Sequence, residues 1–204
     1  MSALIQVFAR APVLGQVKTR LIPEVGAERA LAVYEQLLRR TLEQAAATGF
    51  ALEVWMAGAS SKPLESLLDE EGLEATIRRQ RGDDLGARMH HALSDGLARH
   101  QQVMLIGSDI VDLEPEHLRE ASRQLKRGAD LVLGPSVDGG YYLVAPAAPC
   151  QALFNDIDWG TALVWQQTMA HVTDLRLKLE LLPTCHDLDE GADLRRAEAL
   201  GVIR

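Results

Sequence analysis

The feature that most limits what this chain can fold into is an alternation of two apolar patterns. Short runs with almost no charge, ALIQVFA (3–9), FALEVWMAG (50–58), QVMLIG (102–107) and ADLVLGP (129–135), have the length and content of buried strands. Between them lie longer stretches whose apolar residues recur at helical spacing. From Gly26 onward Ala30, Leu31, Tyr34, Leu37, Leu38 and Leu42 share one helix face, with Glu35, Arg39, Arg40 and Glu43 largely on the other. SKPLESLLDEEG reads as a short helix closed by Gly72, and DLGARMHHALSDGLARH as another. EPEHLREASRQLKRG has proline in its first turn and glycine past its end. Strands joined by crossover helices pair in parallel, and such sheets are covered on both faces. That coverage explains why VMLIG and DLVLG are almost continuously apolar.

The last third breaks the rhythm. GGYYLVAP (139–146) follows the preceding strand too closely for a crossover helix, and LRLKLELL (175–182) alternates leucine with polar residues as a half-exposed strand does. The expectation is one α/β domain over residues 1–204, a mixed, mostly parallel sheet flanked by helices, with an antiparallel insertion and a short closing helix in GADLRRAEALG. Apolar residues make up 47% of the 204, enough for one core. The 21 basic residues against 29 acidic ones give a net charge of −8, and no basic cluster tracks a phosphate backbone, so nucleic acid is not an expected partner. The start MSALIQVFAR lacks a secretory pattern and no apolar run is long enough for a membrane span, which points to the cytoplasm and no membrane partner. Cys150 and Cys185 form no CxxC or zinc spacing and read as free thiols.

In open α/β sheets ligands collect beyond the carboxyl ends of the strands. Asp109 stands there, after VMLIG, Gly107 and Ser108. It reads as a turn or capping aspartate, or as a ligand for magnesium or manganese beside a phosphate. Asp112 reads as a turn residue. The segment ARAPVLGQVKTRL (9–21) leaves the first strand with proline and glycine punctuation and presents Lys18 and Arg20. These are either a solvated basic loop or cations that neutralise a diphosphate; neither GxGxxG nor GxxxxGK[ST] is present. In HDLDEGADL (186–194), Asp187 and Asp189 cap the following helix, Asp189 being the natural cap, or complete a metal site with Asp109. In GPSVDGGYYLVA, Gly139 and Gly140 allow close backbone approach to a ligand, Tyr141 and Tyr142 offer rings to a sugar, and Asp138 adds a rim acid; a tight hairpin with two core tyrosines explains the same residues. His90 and His91 lack metal-pair spacing, His100, His117 and His171 read as surface residues, and Cys185 with His186 lacks an orienting third group.

Taken together, ARAPVLGQVKTRL, RGDDLGARM, IGSDIVDLEPEHL, GPSVDGGYYL, DIDWGTALVWQQT and HDLDEGADL, in that order over nearly the whole chain, resemble a bacterial family of nucleotide-diphospho-sugar transferase-like, or glycosyltransferase-like, proteins. That family is associated with radical SAM and selenium-domain proteins and, in some members, with arsenosugar biosynthesis. The resemblance implies a GT-A fold related to nucleotidyltransferases of molybdenum and deazaflavin cofactor synthesis. It implies that Arg10, Lys18 and Arg20 meet the nucleotide diphosphate, that Asp109 with Asp187 or Asp189 holds the divalent metal, and that Asp84, Gly86 and Arg88 lie near the nucleotide. Leu14 and Val111 stand where the family usually has proline, and Gly160 where it often has serine, a change beside Trp159 and Thr161 on the acceptor side.

The expected reaction is transfer of a sugar from a nucleotide diphosphate sugar to a small-molecule acceptor, with Asp109 on the metal and Asp138 taking the acceptor's proton. Nucleotidyl transfer from a nucleoside triphosphate, releasing pyrophosphate, uses the same groups, and a non-catalytic nucleotide-binding protein is the third reading.

Overall fold

A computed structural model describes residues 2–204. Seven strands form one sheet: β1 (Ala3–Arg10), β2 (Ala51–Ala57), β3 (Thr76–Arg79), β4 (Gln102–Ile106), β5 (Leu131–Pro135), β6 (Tyr141–Pro146) and β7 (Leu179–Leu181). Their spatial order is β3-β2-β1-β4-β6-β5-β7. All neighbours pair in parallel except β6, which runs antiparallel to both β4 and β5. The mixed, mostly parallel sheet anticipated from the spacing is thus present, and its one reversed strand is the segment too close to β5 for a crossover.

Helices α1 (Ile22–Ala46), α2 (Lys62–Glu71), α3 (Leu85–Leu97), α4 (Pro115–Lys126), α5 (Val164–Asp174) and α6 (Gly191–Ala199) surround the sheet. Alternate strand residues feed two cores. Ile5, Val7, Val54, Met104 and Ile106 pack with Leu38 and Leu42 of α1, Leu64 of α2 and Leu118 of α4. Leu4, Trp55, Val103, Leu105 and Val144 pack with Met89 and Leu93 of α3 and Val172 of α5. Burial of β4 on both faces follows from this double coverage. Helix α1 is interrupted at Gly26 (φ 80°, ψ 162°), so its continuous part begins where the apolar periodicity begins.

Two expectations shift. LRLKLELL contributes only Leu179–Leu181 to the sheet, because α5 occupies the chain to Asp174 and Arg176 turns it with φ 53°. The cap of α6 is Glu190, not Asp189: Glu190 and Asp193 form a reciprocal capping box. Cys150 and Cys185 are free thiols. Among the described residues no helix is long and apolar enough to cross a membrane.

Candidate active site

The segments that sequence reasoning singled out meet, for the most part, beyond the carboxyl ends of β1, β4 and β5. The stretch 185–188 is stitched between two strand extensions. On one side the Val111 N–H donates to His186 O (2.8 Å) and the Leu188 N–H to Asp109 O (3.1 Å); on the other the Cys185 N–H donates to Pro135 O (3.0 Å). Asp112 fixes this arrangement. Its carboxylate accepts from both the backbone N–H and Nδ1 of His186 at 2.8 Å each, so it is a staple between loops and more than a turn residue. Burial opposes its charge, yet the two His186 donors hold its pKa below the ordinary value. The Cys185 thiol is pushed up to about 12, first by burial and then by Asp112, so it stays protonated and is no nucleophile.

Lys18 is the hub. Its loop holds the residue at φ 45°, in the left-handed region that side chains rarely adopt. Its side chain is only 6% exposed. The ammonium lies 2.9 Å from Asp109 Oδ2 and 3.0 Å from Asp189 Oδ1, and also donates to the carbonyl of Leu188. Burial would lower the Lys18 pKa, but Asp109 and Asp189 outweigh it and raise the value. Arg20 Nη1 reaches the other oxygen of Asp189 at 3.3 Å. Asp189 therefore has both oxygens on cations, Asp109 keeps Oδ1 free, and Asp187 has no cationic partner among its hydrogen bonds and ion pairs. Asp187 is raised to about 6 by burial and by the nearby charges of Asp138, Asp109 and Asp189.

Two clefts adjoin at this hub, sharing Arg20, Leu85, Gly107, Asp109 and Asp189. The first, about 470 Å³, adds Arg10, Lys18, Thr19, Tyr34, Gln80 and Arg88. Tyr34 clamps its floor: the hydroxyl accepts from Arg10 N at 2.8 Å and donates to Arg10 O at 2.9 Å. Gln80 donates from Nε2 to Trp55 O at 2.9 Å, tying the end of β3 to β2. The second cleft, about 410 Å³, adds Asp138, Asp187, Tyr141, Trp159, Gly160 and Thr161. Trp159 meets Tyr141 edge to face with centroids 6.4 Å apart. Asp138 Oδ1 accepts from the hydroxyl of Ser136 and from the Gly140 N–H, which leaves Oδ2 unengaged. Gly139 forms the hairpin turn with φ 89°. Tyr142, by contrast, is core, its ring packed against Gly134, where an added Cβ would come within 2.4 Å of it. A shallower hollow of about 670 Å³ beside α2 and β3 carries only Glu65, Asp69 and Glu74 as charged lining.

Asp84 and Gly86 stand apart from the first cleft. Asp84 caps α3, accepting from Ala87 N at 2.7 Å, and both residues line a separate surface hollow with His90. Gly86 does serve the second cleft indirectly: a Cβ there would sit 2.7 Å from Phe154 O and 2.9 Å from the Trp159 ring, so glycine is what lets that indole pack. Tyr34 and Gln80 were missed. Tyr34 carries the period of a core face, whereas Gln80 directly follows β3, and a polar residue at a strand's carboxyl end was a readable signal. Among the described residues no three His, Cys, Asp or Glu side chains are gathered as a ready-made metal cage.

Residues 40–161 match the family model described as "Uncharacterized protein conserved in bacteria (DUF2064)". The chain belongs to the DUF2064 family. A crystal structure from Desulfovibrio desulfuricans G20, provisionally named a nucleotide-diphospho-sugar transferase, is 30% identical, covers 98% of this chain and 97% of its own, and superposes with a TM-score of 0.86. The inositol-1-phosphate CTP transferase of T. maritima (14% identity, 97% and 95% coverage, TM-score 0.65) has the same fold. So has the glucosyl-3-phosphoglycerate synthase of Mycobacterium tuberculosis solved with Mn²⁺, UDP and glucosyl-3-phosphoglycerate (13%, 98% and 77%, 0.54). Curated proteins yield no match. This DUF2064 chain therefore has the nucleotide-diphospho-sugar transferase fold, and its neighbours are transferases.

Proposed function

We propose that this protein moves a sugar from a nucleotide diphosphate sugar to a hydroxyl of a small-molecule acceptor, with a divalent metal. The observation that carries the reading is the pair of clefts, one lined by Arg10, Lys18, Arg20 and Arg88, the other by aromatic rings and carboxylates, joined at Asp109 and Asp189. The nucleotide occupies the first, its diphosphate facing Arg20 and the Lys18 loop, and the sugar's anomeric carbon lies at the junction. The acceptor rests against Trp159 and Tyr141, beside Thr161 and the Gly139–Gly140 turn.

The donor set suits magnesium or manganese. Around the hub four carboxylates face two cations, and the free Oδ1 of Asp109 with the carboxylate of Asp187 offers the hard oxygens that such ions take, one or two from protein and the rest from phosphates and water. Asp109 and Asp187 would hold the ion; Asp189 is committed to Lys18 and Arg20. When bound, the metal neutralises charge on the departing diphosphate. Arg20 offsets the same charge. Asp138, oriented by Ser136 and Gly140, takes the acceptor's proton on Oδ2 as the acceptor oxygen bonds to the anomeric carbon and the nucleoside diphosphate leaves with the electron pair.

The test is product identification with manganese over panels of nucleotide sugars and nucleoside triphosphates. Nucleoside diphosphate formed only with acceptor supports the proposal. Pyrophosphate released from a triphosphate replaces it with nucleotidyl transfer, and nucleotide binding without turnover replaces it with a binding protein.

A further inference from the structure

The second cleft has a charge character that narrows what can enter it. It is lined by Asp109, Asp138, Asp187 and Asp189, and its one basic side chain, Arg20, is already paired with Asp189. Lys18, Arg10 and Arg88 line only the other cleft. Several backbone donors on its wall are taken as well. At the start of α5 the Trp165 N–H donates to Gly139 O (2.9 Å) and the Leu163 N–H to Thr161 Oγ1 (3.2 Å). In the hairpin the Gly140 N–H donates to Asp138 Oδ1 (2.9 Å) and the Gly139 N–H to Ser136 O (3.3 Å). A phosphate ester entering here meets carboxylates and no unpaired cation. A divalent ion does not rescue it, since the donor diphosphate consumes that charge.

We infer that the acceptor carries no phosphate or other anionic group: it is a neutral or amine-bearing hydroxyl compound with an apolar face, packed against Trp159 and Tyr141 and hydrogen-bonded to Asp138. Rings beside carboxylates are the surroundings that CH faces and ammonium groups favour and that anions avoid. The inference rests on reading the two clefts as donor and acceptor sides, and it separates this site from one built for a phosphate nucleophile.

The sign of the cleft can be read without knowing the acceptor. Thr161→Cys in a Cys150→Ser background places a thiol on the cleft wall, and its rates with a cationic and an anionic methanethiosulfonate are compared in metal-free protein. The ratio of cationic to anionic rate should exceed that of N-acetylcysteine by about 10-fold or more. A ratio equal to or below that of the free thiol overturns the inference. In the transferase assay, matched pairs (glycerol and glycerol 3-phosphate, glucose and glucose 6-phosphate, glucosamine and glucosamine 6-phosphate) should favour the unphosphorylated member by ~100-fold in kcat/KM. Ala162→Lys, at the cleft rim, should shrink that preference. A phosphate ester used better than its parent sinks the inference while leaving glycosyl transfer standing. Failure of every nucleotide sugar to raise the melting temperature sinks the proposed function and leaves the measured sign of the cleft untouched.

Discussion

Lys18→Met isolates what the buried ammonium does. Methionine keeps most of the stem and removes the charge, so the packing at a side chain that is 6% exposed is largely preserved. Lost are the bonds to Asp109 Oδ2 at 2.9 Å, Asp189 Oδ1 at 3.0 Å and the Leu188 carbonyl. A charged hydrogen bond in such a setting contributes about 1.5–3 kcal/mol. The two carboxylates keep 37% and 38% of their side-chain surface in water and are partly resolvated, so the several kcal/mol that breaking a fully buried pair costs must be discounted. A net loss of about 2–3 kcal/mol remains, roughly 4–12 °C in melting temperature for a domain of this length. The pH dependence follows from the raised Lys18 pKa. A cation whose folded pKa lies above its ordinary value contributes its stability at every pH below that ordinary value and loses it only as pH rises through the folded one. The difference between variant and wild type should therefore be flat from roughly pH 6 to pH 9. Thermal denaturation across that range measures it, and nucleoside diphosphate affinity by calorimetry should fall about 10-fold or more in the same variant. A melting temperature within about 2 °C of wild type, or a difference that grows steadily between those pH values, refutes the account of Lys18 as the counter-ion of both acids.

Three further perturbations test other parts of the arrangement. Asp187→Asn should stabilise the metal-free protein near neutral pH, because a carboxyl raised to about 6 gives the fold an advantage that is full below its ordinary pKa and lost as pH rises through the folded value. The gain should vanish in melting curves taken near pH 4, and manganese should stabilise wild type more than the variant; a variant less stable than wild type at neutral pH contradicts the crowding of carboxylates. Gly86→Ala drives a methyl against Phe154 O and the Trp159 ring, so the acceptor KM should rise several-fold while nucleotide affinity, read by calorimetry, stays put. Glu53→Ala strips the buried carboxylate that accepts from Arg78 Nε and Arg99 Nη1 at 2.8 Å and from Trp55 Nε1 at 3.0 Å, and should cost about 2–4 kcal/mol in urea denaturation with no change in the metal dependence of nucleotide binding.

The sheet was legible because its strands carry their own evidence. A strand covered on both faces must be apolar throughout, as β4 is, and the reversal at β6 follows from a connection too short for a helix. Where the pattern misled, a competing element won. LRLKLELL has eight residues of alternating character, but strand length is set by what is available to pair, and β7 finds only Leu131–Leu133 of β5 beside it. The capping of α6 turned on one residue. Asp189 and Glu190 are both chemically fit to cap, and the reciprocal partner Asp193 selected Glu190. That selection frees the Asp189 carboxylate for Lys18 and Arg20, so a local contest between neighbours decided the charge geometry of the site.

What no local pattern could supply is the burial of Lys18. The motif QVKTR reads as a solvated basic loop or as cations for a diphosphate, and neither reading buries its lysine, which is covered only through partners 91 and 171 positions away. The consequence is physical. Four carboxylates converging beyond the strand ends would repel one another in a folded protein without ligands, and Asp187 already shows that strain. One ammonium held between Asp109 and Asp189, with Arg20 outside it, lowers the repulsion enough for the loops 11–21 and 185–189 to dock, yet leaves four carboxylates against two cations, an excess of two negative charges. A second lysine in place of Asp187 would remove that excess; the sequence instead keeps the acid, and with it a net negative charge on the wall of the second cleft.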